Sequence, residues 1–111
     1  MTRDDKVRIH HMLDSAREAV DFTHGLDRKD IDSDRKLNLS LVRLLEIIGE
    51  AARGVSDDFR ETNKDIPWEK MAGMRDRLIH GYFDVNLDIV WETVKDDLPS
   101  LIEKLENIRL E

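Results

Sequence analysis

Apolar residues along this chain return at three- and four-residue intervals, the spacing that gathers side chains on one face of an α-helix. No segment shows the two-residue alternation of a strand. The pattern therefore predicts an all-α fold made of amphipathic helices. Val7, Leu13, Ala16, Ala19, Val20 and Thr23 form one stripe, which places a first helix over about residues 4–24, stopped by Gly25. Residues 26–36 follow as a polar connector rich in turn-forming Asp and Ser, and its end offers N-caps for a second helix over about residues 34–53.

That second helix is apolar over an unusually broad arc. Leu37, Leu41, Leu44, Leu45, Ile48 and Ala52 share one face, and Leu39, Val42, Ile47 and Ala51 widen it. A helix of this kind is central to its bundle or also packs against a second protomer. Gly49 in its interior costs about 1 kcal/mol relative to alanine, which close approach of another helix would explain. A short helical turn near residues 56–61 leads to a third helix, with Pro67 at its first position and Trp68, Met71, Met74, Leu78 and Ile79 as its apolar residues, ending at Gly81. Asn86 caps a last helix that Pro99 must kink or restart. Four principal helices with short connections give an up-down bundle, one domain over residues 1–111.

Composition removes several classes of chemistry. There are no cysteines, so disulfides and thiolate metal sites are excluded. Of the four histidines, His10 and His11 are adjacent, and adjacent helical side chains point about 100° apart, a poor arrangement for chelating one ion. No metal or other cofactor is expected. The N-terminal segment is charged and carries no apolar run, so neither a signal peptide nor a membrane span is expected, and a cytoplasmic location follows. The net charge of -7 argues against nucleic-acid affinity spread over the whole surface. Any RNA site must be local and lined by arginine.

Residues 74–82, MRDRLIHGY, answer that description. They put Arg75, Arg77, Asp76, His80 and the chain's only tyrosine, Tyr82, at a helix C-terminus. Cations are favoured there by the helix dipole alone, so a structural role accounts for the residue types. RNA cleavage without a metal asks for the same set. A group titrating near neutrality moves protons to and from the 2′-hydroxyl and the leaving oxygen, and histidine is that group. A fixed guanidinium stabilises the phosphate as charge builds. Asp76, four residues before His80, lies on the same face of a continuous helix, where it would orient the imidazole. Arg75 and His80, five residues apart, point about 140° apart on such a helix. Converging on one phosphate then needs either two helices meeting across a dimer axis or a helix that ends early and frees His80.

Arg75, His80 and Tyr82, spaced Arg-x4-His-x-Tyr, resemble the signature of the HepT-like branch of the HEPN superfamily. The blocks LEIIGEAA, IPWEKMAGMRDRLIHGYFDVN and IVWETVKDDLPSLIEKL resemble that branch in the same order, so the likeness spans nearly the whole chain. The resemblance implies an all-helical homodimer in which Arg75 and His80 of both protomers line one cleft and cleave RNA without a metal, with Asp76 and Arg77 in support. It implies a toxin of a toxin–antitoxin pair whose partner is a minimal nucleotidyltransferase. That partner would silence the toxin by transferring AMP to Tyr82. Two other roles stay open at this level: a non-catalytic binding partner of a nucleotidyltransferase, and a helical interaction protein with no nucleotide chemistry.

Overall fold

The computed structural model describes residues 2–80 and 84–108, with the side chain of His80 outside the description. The fold is all-α. Helix α1 (Arg3–Phe22) and α3 (Arg35–Gly54) are the two long elements and lie against one another. Short helices α2 (Arg28–Ser33), α4 (Asp57–Thr62), α5 (Trp68–Ala72) and α6 (Met74–Leu78) come between and after them. Two-residue strands β1 (Ile79–His80) and β2 (Asp84–Val85) form an antiparallel pair. Helix α7 (Leu87–Glu92), a π-helical turn (Thr93–Asp97) and α8 (Leu98–Glu106) close the chain, with α8 against α1. The shortest extent, 20 Å, is that of two helix layers.

The first helix starts where Thr2 accepts a hydrogen bond from the Asp5 N–H at 3.0 Å, and the turn after it contains Gly25 at φ +75°, a conformation that favours glycine. Its buried stripe runs through Ile9, Met12, Leu13, Ala16 and Ala19. Val7, expected on that stripe, is 44% exposed, because it lies two residues from buried Ile9 and so points about 160° away from it around the helix. The connector also departs from expectation. Ile31 is fully buried and anchors α2, and the Asp30 carboxylate accepts the Asp27 N–H at 2.6 Å to close its first turn. Asp34 caps α3 through the Leu37 N–H and Asn86 caps α7 through the Ile89 N–H, both at the expected positions.

Three helix C-termini are sealed by cations. Arg60 donates to the Ala52 and Arg53 carbonyls of α3, Arg53 donates to the Ala72 carbonyl of α5, and Lys95 donates to the Thr23 carbonyl after α1. These side chains satisfy carbonyls that the helices leave open and match the negative end of each dipole. Lys95 also lies 4.9 Å from the Trp91 ring centroid. Trp68 donates its indole N–H to the Asn63 carbonyl and meets Phe59 edge-on, which fixes α4 to the start of α5.

The expected third helix is two helices. It begins at Trp68, with Pro67 one place earlier as the N-cap, and it breaks at Gly73. In the last helix Pro99 falls in the first turn of α8, just after the π-helical turn, so the chain adjusts its hydrogen bonding where the proline ring would otherwise meet a carbonyl of the preceding turn. Among the described residues, no helix is long and apolar enough to cross a membrane.

Candidate active site

Helix α6 is pinned by its two ends. Met74 and Leu78 are fully buried, four residues apart, and the three residues between them face outward. Arg75, Asp76 and Arg77 are therefore exposed side by side on one turn. The Arg75 side chain is 61% exposed, and its Nε lies 3.6 Å from Oε2 of Glu46, a residue of α3 whose side chain is 24% exposed. Asp76 and Arg77 have no ion-pair partner among the described residues.

The helix ends at Leu78 and not at Gly81. Ile79 is extended, with φ -116° and ψ 121°, and the Leu78 carbonyl accepts the Asn86 N–H at 2.8 Å. Ile79 pairs with Val85 and His80 with Asp84 across the small hairpin. His80 therefore leaves the helical period, and the shared helical face expected for Asp76 and His80 does not exist. The physical reason is local: β-branched Ile79 precedes His80 and Gly81, and two strand residues on the far side satisfy the backbone groups that another helical turn would have used. The 140° separation of Arg75 and His80 on one helix falls with it. Gly81 and Tyr82 lie outside the described residues, so the expected AMP acceptor does too.

Beside the hairpin is a groove of about 350 Å³ lined by Arg35, Asn38, Leu39 and Val42 of α3, by Asp84 and Val85, and by Leu87. Arg35 and Glu46 are site neighbours that residue types alone did not single out. Glu46 lies within the LEIIGEAA block, three residues before Gly49, and only the packing of α3 against α6 brings it to Arg75. His10 and His11 are exposed on α1, and among the described residues no three His, Asp or Glu side chains are grouped to hold a metal.

The model of the family described as "Ribonuclease HepT-like" matches residues 12–108. The chain belongs to the HepT-like family. The matched span includes Glu46 and the whole Arg75–Tyr82 motif. The chain is 39% identical over 109 residues to the "Probable ribonuclease HepT" of Thermococcus cleftensis, covering 98% of this chain and 99% of that relative. A Methanocaldococcus jannaschii protein named "Putative RNase MJ1380" is 36% identical over 104 residues, 94% of this chain and 95% of its own. A Caldanaerobacter subterraneus protein named "Putative RNase TTE0752" is 39% identical over 100 residues, 90% of this chain and 89% of its own. No solved structure matches the chain. In this HepT-like chain, the motif is thus divided between an exposed helical turn, which carries Arg75, and a hairpin strand, which carries His80.

Proposed function

We propose that the chain is the metal-independent endoribonuclease toxin of a type VII-like toxin–antitoxin system, acting in the cytoplasm. The observation that carries this is the family match over residues 12–108, with the intact Arg75, His80 and Tyr82 motif inside it. Arg75 is exposed, where a phosphate can reach it, on a turn whose backbone is anchored by buried Met74 and Leu78, which supports a cation placed for the phosphate.

The chemistry needs few parts. The 2′-hydroxyl of the substrate gives up its proton to an imidazole and attacks the adjacent phosphorus. The P–O5′ bond breaks, the leaving oxygen receives a proton, and the products are a 2′,3′-cyclic phosphate and a 5′-hydroxyl. His80 serves as general base or acid, and a cleft shared by two protomers supplies one imidazole for each transfer. Arg75 holds the non-bridging oxygens with its planar fork. Arg77, exposed on the same turn, adds a second cation for the RNA backbone, and Asp76 supports that turn.

The homodimer joins through α3 and α5–α6. Leu39 on α3 and Phe22 at the end of α1 are 51% and 45% exposed, which supports an apolar surface awaiting a second copy. A cognate minimal nucleotidyltransferase silences the toxin. The Tyr82 oxygen attacks the α-phosphorus of ATP, pyrophosphate leaves, and the AMP placed beside Arg75 and His80 excludes substrate by charge and volume.

The test is cleavage of RNA by the purified protein in excess chelator, with the product ends identified. Undiminished cleavage and 2′,3′-cyclic phosphate ends are expected. Activity that vanishes in chelator and returns with a divalent ion overturns the mechanism. A well-folded dimer that never cleaves RNA, alone or with its motif intact, indicates the non-catalytic binding role instead.

A further inference from the structure

One strip of α3, at Glu46, Gly49 and Arg53, seats the two short helices on either side of Gly73. At Gly49 a Cβ atom would lie 2.9 Å from the Met71 carbonyl oxygen, so α5 rests on bare backbone. Arg53 donates to the Ala72 carbonyl at 2.9 Å, at the last residue of α5. Glu46 reaches the first turn of α6, with its Oε2 3.6 Å from Arg75 Nε. The three residues are spaced by three and four along α3, so they share a face, and that face meets the α5–α6 segment at Arg75, Met71 and Ala72. Glu46 is the more enclosed partner of its pair, at 24% against 61% for Arg75.

An exposed arginine has many rotamers, and most of them aim its fork away from any one phosphate. A carboxylate at the Nε side limits that freedom. It leaves the terminal Nη1–Nη2 edge open for two parallel bonds to phosphate oxygens. We infer that Glu46 is a positioning residue for RNA cleavage, orienting the Arg75 guanidinium from α3 without touching the RNA itself. The inference rests on the proposed role of Arg75 as the phosphate clamp. It carries a distinctive cost: a carboxylate near the RNA backbone opposes binding, so Glu46 helps the chemical step and hinders affinity.

That opposition gives the test. In Glu46→Gln, of nearly the same shape, kcat falls by roughly threefold to tenfold, between the effect of an exposed ion pair and that of a misplaced catalytic group, while KM is unchanged or lower. Glu46→Asp, which keeps the charge, recovers part of kcat. A readout independent of turnover is hydrogen exchange at arginine Nε by ¹⁵N NMR: exchange at Arg75 quickens in Glu46→Gln while that at Arg77 stays the same. An unchanged kcat with a lowered KM means that Glu46 acts by repulsion alone and overturns the proposal, as does unchanged exchange at Arg75. If Arg75→Ala abolishes cleavage and Glu46→Gln leaves kcat intact, the positioning role alone is wrong. If Arg75→Ala leaves cleavage intact, the clamp is wrong and the positioning role falls with it.

Discussion

The Asp5 carboxylate holds Ser56 by both of its donors: Oδ1 accepts the backbone N–H at 2.8 Å and Oδ2 accepts the hydroxyl at 2.6 Å. This pair, of a buried Asp5 and a half-buried Ser56, joins the first turn of α1 to the N-cap of α4, and so braces the end of α3 that lies between them. Burial by itself raises the Asp5 pKa, but the hydrogen bonds from Ser56 and Thr2 favour the charged form more and hold it below its ordinary value.

A depressed carboxylate pKa contributes stability that is fully present above the unfolded pKa, about 3.9, and is lost as the pH falls through the folded value. Urea unfolding of the wild type should therefore weaken below about pH 4, and Asp5→Asn should flatten that part of the profile. At neutral pH, Asp5→Ala removes the acceptor of two donors of half-buried Ser56 and should cost about 1–2 kcal/mol. A midpoint unchanged by Asp5→Ala would mean that water replaces the carboxylate.

Gly49 tests the seat of the site. Alanine normally gains about 1 kcal/mol over glycine inside a helix. Here the new methyl would meet the Met71 carbonyl at 2.9 Å, which is backbone and cannot swing aside. Gly49→Ala should lower stability by about 1–3 kcal/mol and shift α6, so RNA cleavage should fall as well. A rise in melting temperature would show that α3 and α5 are not held at this distance.

Much of this was visible in the sequence. The helical period located α1, α3 and α7–α8, and the capping residues Asp34 and Asn86 marked their starts, because capping needs only short-range chemistry. Close approach at Gly49 followed from a glycine at a cost in propensity. What escaped was set by distant partners. Ile31 in a polar stretch is buried only because α2 packs on α3 and α7. Asp5 looks like an ordinary first-turn acid until Ser56, 51 residues away, is placed beside it. In the site, the residues of the motif were legible but their geometry was not, since whether Ile79 and His80 prolong a helix or pair with Asp84 and Val85 depends on strand residues beyond the turn.

The proposed dimer has its own test. Leu39 is half exposed in the single chain and lies with Phe22, Ser40, Arg43 and Leu44 around one shallow depression. Leu39→Glu should leave the melting behaviour of an isolated protomer nearly unchanged, yet convert the dimer to a monomer in light scattering at micromolar concentration. Wild type that is already monomeric there would remove the shared cleft.

Control by a partner is tested at Tyr82. A cognate nucleotidyltransferase with Mg-ATP should add AMP-sized mass increments to the wild type and silence it, while Tyr82→Phe should stay unmodified and active. Equal silencing of Tyr82→Phe with no mass change would point to occlusion by complex formation.

The most direct measurement is cleavage of RNA by Arg75→Ala and His80→Ala proteins whose circular dichroism and melting match the wild type. Loss of a general acid or base is worth about 10²- to 10⁴-fold, so each variant should lose at least about a hundredfold in rate in the presence of chelator. A folded His80→Ala protein that cleaves RNA at the wild-type rate would contradict the assignment of this turn and hairpin as the active site.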